Sequence, residues 1–295
     1  MNYNFLAGTG VALVTPFNED LSIDYPALEN IINHVISGGA DFLVVLGTTG
    51  EAALLTFDEK LKVICFVKKV VAGRLPLVLG YGGICTAELL ANFPKYDYEG
   101  IDALLTVTPF YVKPSQRGLV EHYSAIAAAS PRPIILYNVP GRTGVNMEPA
   151  TAVSLAALPN IIGIKEASGR LFQTEEILLR RPEGFLLYSG EDALTFHLMN
   201  LGADGVISVV ANAFPNEVSG IVKAKRDGEK FLTAQQAHFS LKILTKAVFA
   251  DGNPCGIKYV LSRLGLCKNV VRLPLVPVSK ATADVIDSEL EGLRK

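Results

Sequence analysis

Ile161-Ile162-Gly163-Ile164-Lys165 is an apolar run that ends in an amine, and Glu166-Ala167-Ser168-Gly169 follows it as a small polar turn. A short apolar run bounded by a turn is typical of a strand that is covered on both faces. Such strands belong to parallel sheets with helices packed outside. Lys165 then stands at the carboxyl end of its strand, where binding and catalytic groups collect in α/β folds. A lysine is also common where a strand re-enters water, so this segment alone leaves both interpretations open.

Outward from this strand, strand-like segments alternate with helix-like ones as far as Val209. The predicted strands cover residues 10–15, 41–46, 75–79, 101–107, 133–137, 161–165, 185–188 and 205–209. The predicted helices between them cover residues 25–37, 57–71, 87–95, 116–129, 149–157, 172–180 and 193–201. Strict alternation of this kind predicts an α/β protein, specifically a (β/α)8 TIM barrel.

A doubly wound open sheet is the alternative architecture. It usually carries a glycine-rich phosphate loop after its first strand. Gly8-Thr9-Gly10 and Gly80-Tyr81-Gly82-Gly83 do not complete G-x-G-x-x-G, so we interpret both as turns. Beyond the last strand, residues 215–226, 231–248, 253–264 and 279–291 are all helix-like. We therefore predict a catalytic barrel over residues 1–228 and a C-terminal helical region over residues 229–295.

Composition excludes several classes of partner. The chain has 295 residues, of which 49% are hydrophobic, and 27 basic residues against 29 acidic ones give a net charge of −2. Without a basic cluster, nucleic acid is not expected as a partner. Met1-Asn2-Tyr3-Asn4-Phe5 lacks the pattern of a signal peptide, and no apolar run has the length of a membrane span. We expect a cytoplasmic protein that does not bind a membrane.

Neither cysteines nor histidines predict a metal site. Four cysteines without C-x-x-C spacing are expected to be small hydrophobic core residues: Cys65, Cys85, Cys255 and Cys267. The histidines fall inside predicted helices, away from strand ends: His34, His122, His197 and His238. In metal-dependent barrel enzymes the metal ligands are clustered at the strand ends, so we expect no metal. Glu191 and Asp192 are expected to begin a helix, where the macrodipole favours negative charge, rather than to act as an acid/base pair.

Polar residues follow six of the predicted strands, and a barrel brings them to one mouth. They lie in Gly47-Thr48-Thr49-Gly50-Glu51, Thr108-Pro109-Phe110-Tyr111, Tyr137-Asn138-Val139-Pro140-Gly141-Arg142, Lys165, Ser189-Gly190-Glu191-Asp192 and Ile207-Ser208. An amine at such a mouth can condense with a ketone to give an iminium that acts as an electron sink. The attacking amine must be neutral, and burial favours the neutral form.

The neighbours of Lys165 suit that chemistry. Tyr137 ends the preceding strand, about 4.8 Å away, where its hydroxyl can carry protons; alternatively its ring only fills the core. Thr48 and Thr49, between glycines, offer hydroxyls and backbone N–H groups to a small carboxylate. Arg142 can bind a second carboxylate bidentately, or it is a solvated loop residue.

In the order and spacing of these motifs, the chain resembles the dihydrodipicolinate synthase family of pyruvate-dependent class I aldolases and lyases. The resemblance runs from Gly10-Val11-Ala12-Leu13-Val14-Thr15-Pro16 through the motifs around Thr48, Tyr137 and Lys165 to Asn253-Pro254. It implies a Schiff-base condensation of pyruvate with L-aspartate 4-semialdehyde to give 4-hydroxy-tetrahydrodipicolinate, in the diaminopimelate route to lysine. It also implies a homotetramer, built as a dimer of dimers, and no metal or organic cofactor.

The resemblance also implies a role for each matching residue. Lys165 forms the Schiff base, Tyr137 donates and accepts protons, and Thr48 links Tyr137 to Tyr111 of a neighbouring subunit in a proton relay. Substrate binding is implied for Thr49, for the backbone of Ile207, for Arg142 at the entrance and for Gly190 along the pocket wall.

Two other functions stay open at this point. Sugar-acid aldolases, such as N-acetylneuraminate lyase or 2-keto-3-deoxygluconate aldolase, are similar around Lys165, but Gly141-Arg142-Thr143 favours the synthase. A non-catalytic binding barrel is disfavoured because both Lys165 and Tyr137 are present.

Weak or absent inhibition by lysine is a further expectation. In family members that lysine inhibits, the resemblance places polar pocket residues at positions that match Ala52, Phe57, Lys60, Ile84, Glu88 and Phe110 here. Glu88 remains to face an ammonium group, whereas Ile84 and Phe110 offer the ligand no side-chain hydrogen bond.

Overall fold

Eight parallel strands close into a barrel in which β8 pairs with β1. The structure, a computed structural model, describes residues 3–224 and 230–293. The strands are β1 Gly8–Ala12, β2 Phe42–Val45, β3 Leu77–Gly80, β4 Ala103–Val107, β5 Ile134–Asn138, β6 Ile161–Glu166, β7 Leu186–Ser189 and β8 Gly205–Ser208. The strand order β1 to β8 confirms the predicted (β/α)8 barrel and excludes the doubly wound open sheet.

Helices surround the barrel and continue beyond it. They are α1 Tyr25–Ser37, α2 Phe57–Val71, α3 Thr86–Asn92, α4 Gln116–Ala129, α5 Pro140–Thr143, α6 Pro149–Leu155, α7 Leu171–Arg180, α8 Thr195–Leu201, α9 Pro215–Ala224, α10 Phe231–Ser240, α11 Lys242–Ala250, α12 Cys255–Arg263 and α13 Lys280–Leu293. The single helix predicted over residues 231–248 is two helices, α10 and α11, which meet at Leu241. The short helix α5, directly after β5, was not predicted.

The core has two layers because each strand is buried on both faces. One cluster fills the space between the strands and the helices, and it includes Ile164 and Leu136. A smaller cluster fills the barrel interior, where Phe42 packs edge-on against Tyr188. Gly10 makes room for this pair, because a Cβ at that position would lie 2.3 Å from the Phe42 ring.

A bulge in β6 decides which way Lys165 points. The pairing of β5 with β6 shifts register, so that Ile134 pairs with Ile161 while the next residue, Ile135, pairs with Gly163. Ile162 is the extra residue. It lies in the interior cluster, and after it Ile164 faces the helices. A strand bulge of one residue exchanges the two faces of the chain that follows it, so Lys165 points into the barrel.

The C-terminal helices fold back onto the barrel. Lys258 of α12, which is fully buried, forms an ion pair with Glu51 in the loop after β2. Its Nζ also lies 4.0 Å from the ring centre of Phe17, which follows β1. The predicted division of the chain into two units remains a prediction, and its boundary at residues 228 and 229 lies outside the described residues.

Two sequence expectations about the surface can be compared with the structure. Cys255 is buried as expected, but Cys65 and Cys85 are exposed, so describing all four cysteines as core residues was wrong. Within residues 3–224 and 230–293, none of the helices is long and apolar enough to cross a membrane.

Candidate active site

Lys165 and Tyr137 lie side by side at the carboxyl end of the barrel. They are register partners on β6 and β5, and the Nζ of Lys165 lies 4.5 Å from the centre of the Tyr137 ring. Both side chains are buried, with 5% of Lys165 and 7% of Tyr137 exposed. The predicted proximity is therefore confirmed, with the amine over the face of the ring.

Gly190, directly after β7, leaves space for the lysine side chain. A Cβ at this position would lie 3.1 Å from Cε of Lys165 and 2.6 Å from the Cβ of Ala167. Both distances are shorter than an ordinary van der Waals contact. Position 190 therefore lies against the Lys165 side chain, and a place for it in the wall of a substrate pocket stays a prediction.

The loop after β2 carries the two threonines. Thr48, Thr49 and Gly50 form one turn of 3-10 helix. Thr49 is buried and accepts a hydrogen bond from Nδ2 of Asn253 at 2.9 Å, whereas Thr48 is exposed at the surface of this single chain. Gly50 is held by the Thr15 hydroxyl, which donates to its carbonyl oxygen at 2.7 Å.

The three other predicted site residues differ in their surroundings. Ile207 of β8 is buried in the barrel interior. Arg142 is exposed on α5, and its Nη2 donates to the carbonyl oxygen of Asn253 at 3.3 Å. Tyr111 follows β4 and is 86% exposed. Its φ of 70° is strained for a residue other than glycine, a feature that clusters at functional sites.

The two adjacent carboxylates begin a helical turn, as predicted: Glu191 is the N-cap and Asp192 the first residue of the 3-10 turn Asp192–Leu194, which leads into α8. Asp192 is half-buried, and its carboxylate accepts hydrogen bonds from the Ser208 hydroxyl, from the Val209 N–H at 2.9 Å and from the Val210 N–H at 3.3 Å. It therefore also joins the loop after β7 to the loop after β8. Burial raises the pKa of Asp192, although these hydrogen bonds oppose the rise.

Glu191 lies closer to the charged groups of the site. Burial and the neighbouring Asp192 raise the pKa of the Glu191 carboxyl, while Lys165 and Arg142 act in the opposite direction. Its carboxylate thus lies within the electrostatic influence of both cationic groups. Sequence reasoning assigned Glu191 no role at the site.

Comparison with protein families matches residues 5–292 to the Dihydrodipicolinate synthetase family. The chain belongs to this family.

Individual relatives agree with that assignment. A 4-hydroxy-tetrahydrodipicolinate synthase of Parabacteroides distasonis is 47% identical and covers 98% of this chain and 97% of its own length. A chloride-inhibited dihydrodipicolinate synthase from Acinetobacter baumannii, complexed with pyruvate, has a TM-score of 0.93 and 37% identity, and covers 97% of this chain and 98% of its own. The enzyme of Cyanidioschyzon merolae with lysine bound has a TM-score of 0.92 and 37% identity, with coverage of 97% and 98%.

In this member of the dihydrodipicolinate synthetase family, the candidate site includes two contacts that the sequence did not predict. Asn253 contacts both Thr49 and Arg142, although it is noted in the sequence only as part of an Asn-Pro turn. Glu51 has a left-handed φ of 52° and pairs with the buried Lys258. These partners are distant in the sequence, so no local pattern points to them.

The metal-binding residue types do not converge in the part of the chain that is described. Across residues 3–224 and 230–293, no group of three or more His, Cys, Asp or Glu side chains is arranged to hold a metal ion.

Proposed function

We propose that this protein is a 4-hydroxy-tetrahydrodipicolinate synthase, a lyase of the class I aldolase type that condenses pyruvate with L-aspartate 4-semialdehyde. The observation that carries the proposal is the buried Lys165 amine over the Tyr137 ring inside a barrel of this family. A lysine amine is a nucleophile that forms Schiff bases with carbonyl substrates. The product belongs to the diaminopimelate route to lysine.

The first half of the reaction joins pyruvate to the enzyme. Nζ of Lys165 attacks the pyruvate ketone, and Tyr137 supplies and removes the protons with which water leaves. Loss of a proton from the pyruvate methyl group then gives an enamine, because the iminium accepts the electron pair. The Thr49 hydroxyl and the backbone at Ile207 hold the pyruvate carboxylate as neutral groups.

The second half uses the aldehyde. The enamine carbon attacks the aldehyde carbon of L-aspartate 4-semialdehyde, and the amino group of that substrate closes on the imine carbon and releases Lys165. Arg142 is exposed on α5, beside the mouth, where its guanidinium can bind the carboxylate of the incoming aldehyde bidentately. A sugar-acid aldolase has no need of this second carboxylate site.

Trapping with borohydride tests the proposed chemistry. The protein is incubated with pyruvate and sodium borohydride, digested and examined by mass spectrometry. One reduced pyruvate adduct is expected, on Lys165, and the Lys165→Arg variant should gain none. An unmodified wild-type protein, or an adduct on a different lysine, would contradict the mechanism.

A variant of Arg142 tests the identity of the second substrate. Arg142→Gln should raise the KM for L-aspartate 4-semialdehyde on the order of 10-fold to 100-fold, as expected for one hydrogen-bonded charge pair. The yield of borohydride-trapped pyruvate should stay unchanged. Equal turnover of a sugar-derived aldehyde by the wild-type protein would instead favour the sugar-acid aldolase.

We also propose a homotetramer built as a dimer of dimers. Tyr111 and Val112, after β4, form one exposed apolar group, and Phe172 and Leu179 of α7, after β6, form another. Strand β5 lies between β4 and β6 in the barrel, so the two groups are carried by different parts of the chain. Two separate apolar groups suit two kinds of subunit contact, and the first carries the tyrosine of the proposed relay.

A further inference from the structure

We propose that Asn253 is a positioning residue that directs the proton of the Thr49 hydroxyl toward the pyruvate carboxylate. This inference rests on the proposed function. Nδ2 of Asn253 donates to Oγ1 of Thr49 at 2.9 Å. Asn253 is 6% exposed and Thr49 is 2% exposed, so the contact is shielded from water.

The direction of this hydrogen bond is what matters. A threonine hydroxyl has one proton to donate and two positions at which it accepts. Because the Asn253 amide occupies an accepting position, the hydroxyl proton must point elsewhere. The proton stays available to a carboxylate at the mouth of the barrel. A site without a positive charge needs such a donor to bind a carboxylate.

The opposite orientation of the Asn253 amide would have the opposite effect on the hydroxyl. Within the described part of the chain, the buried Oδ1 of Asn253 has no hydrogen-bond partner. If Oδ1 faced Thr49, it would accept the hydroxyl proton and remove it from the substrate. The orientation seen here leaves a buried oxygen unpaired, which is ordinarily unfavourable, and keeps the proton free.

Neighbouring contacts fix Asn253 and the threonine loop to one another. Asn253 lies two residues before α12, and Lys258 of that helix pairs with Glu51, two residues after Thr49. The backbone N–H of Arg272 also donates to Glu51, at 3.1 Å. The C-terminal region therefore holds the loop at both Thr49 and Glu51.

A second contact of Asn253 allows its effects on the two substrates to be distinguished. Arg142 is bound through the backbone carbonyl of Asn253, at 3.3 Å, and not through its side chain. Substitutions of the Asn253 side chain should thus weaken the binding of pyruvate. They should leave Arg142, which is proposed to bind the aldehyde substrate, in its place. A merely structural role would affect both substrates alike.

The experiment compares two substitutions. Asn253→Ala removes the donor and should raise the KM for pyruvate about 10-fold. Asn253→Asp reverses the hydrogen bond and adds a negative charge, so its increase should be larger, on the order of 100-fold. The KM for the aldehyde, measured at saturating pyruvate, should change less than about 3-fold in either variant, because the backbone contact remains.

A double-mutant cycle with Thr49 makes the test specific. In a Thr49→Val background there is no hydroxyl to direct, so Asn253→Ala should have little further effect on the KM for pyruvate. Additive effects of the two substitutions, an equal rise of both KM values, or an unchanged KM for pyruvate would overturn the inference. The alanine variant carries the test if the aspartate variant does not fold.

Two controls separate the possible failures. Asn160 donates to the backbone of Ala127 at 3.0 Å, at the opposite end of β6, so Asn160→Ala should lower Tm without changing either KM. Borohydride trapping of the wild-type protein with saturating pyruvate tests the proposed function itself. If Lys165 is trapped and the KM for pyruvate of Asn253→Ala is normal, only the role of Asn253 fails.

Discussion

Lys165 faces the barrel interior because Ile162 is an extra residue in its strand. The register shift between β5 and β6 places Ile162 inside the barrel and brings Lys165 beside Tyr137. If the same residues formed a regular strand from Ile161 onward, with no bulge, the period of two would turn Lys165 toward the helices. The bulge thus decides whether this strand-end lysine faces the helices or is buried beside Tyr137.

Gly190→Ala is expected to impair formation of the Schiff base. The new Cβ would lie 3.1 Å from Cε of Lys165 and 2.6 Å from Cβ of Ala167, so the lysine must shift. A displacement of about 1 Å at a reacting group can cost about 100-fold in rate. We expect kcat and the rate of borohydride trapping to fall by about 10-fold to 100-fold.

The matched control for that substitution is Gly220→Ala in α9. A Cβ there meets no atom within 4 Å, so kcat and the trapping rate should equal those of the wild type. Equal rates for both variants would show that position 190 does not constrain Lys165.

The sequence predicts site residues well where they follow the strand period. Lys165, Tyr137, Gly190 and Ile207 all lie on strands or at strand ends, and alternation of strands and helices was enough to place them at one mouth. The contact between Asn253 and Thr49 spans 204 positions in the sequence and leaves no periodic signal. The bulge at Ile162 is equally hidden, because an apolar run shows no alternation from which a shift can be read.

At the scale of elements, the C-terminal region is attached to α2 as well as to the β2 loop. The guanidinium of Arg272 contacts both carboxylate oxygens of Glu59, at 2.8 Å and 2.5 Å. Glu59 also completes the capping box of α2 with Thr56. The start of this helix and the end of the chain are therefore stabilised by the same carboxylate.

This contact should make stability depend on pH. The hydrogen bond from Arg272 is the main reason why the pKa of Glu59 is lowered from 4.5 to about 2. Because the folded pKa is below the unfolded one, the stabilisation is fully present above pH 4.5 and is lost as the pH falls toward 2. The pair is partly exposed, so we expect a contribution of about 1 kcal/mol.

Denaturation by urea at two pH values can measure the contribution of the Glu59–Arg272 pair to the free energy of unfolding. The free energy of unfolding of Glu59→Gln should lie below that of the wild type at about pH 6, and the difference should shrink by about 0.5 kcal/mol near pH 3.5, where part of the contribution is lost. In an Arg272→Gln background the same substitution should show no such pH dependence. A difference that stays constant with pH in the presence of Arg272 would contradict the assignment.

Weak or absent inhibition by lysine is a prediction about the segments around α2 and α3. Ile84 precedes α3 and Phe110 follows β4, and both side chains are exposed and apolar. Each unpaired polar group of a bound ligand costs about 1–3 kcal/mol, so the loss of two partners weakens binding on the order of 30-fold or more. Initial rates across a lysine titration at saturating pyruvate should show little inhibition.

Restoring polar groups provides the matched variant. Ile84→Asn with Phe110→Tyr should increase the sensitivity to lysine, because each supplies a side-chain hydrogen bond. Half-inhibition of the wild-type protein below about a millimolar, which corresponds to a Kd of ordinary metabolite strength, would show that other contacts form the pocket.

At the scale of the whole molecule, a single barrel leaves its proposed relay tyrosine outside. Tyr111 is 86% exposed and strained, with Phe110 and Val112 exposed beside it. Large exposed apolar groups of this kind mark protein contacts. The site is therefore expected to be complete only when a second subunit covers this segment.

Tyr111→Phe is expected to lower kcat while leaving borohydride trapping of pyruvate nearly intact, because it removes a proton carrier and not the amine. Loss of general acid–base catalysis typically lowers the rate by about 100-fold to 10,000-fold. Sedimentation should show an oligomer for the wild type and for this variant. A fully active monomer would rule out a shared relay.

The position of the Lys165 amine, 4.5 Å above the centre of the Tyr137 ring, also makes this residue visible by NMR. Protons above an aromatic face are shielded by the ring current, so the ε-methylene resonance of Lys165 should lie upfield of those of surface lysines. Lys258 lies 4.0 Å above Phe17 and should be shifted in the same way. In protein labelled with carbon-13 at lysine Cε, addition of pyruvate should move the Lys165 resonance and leave that of Lys258 in place as an internal reference.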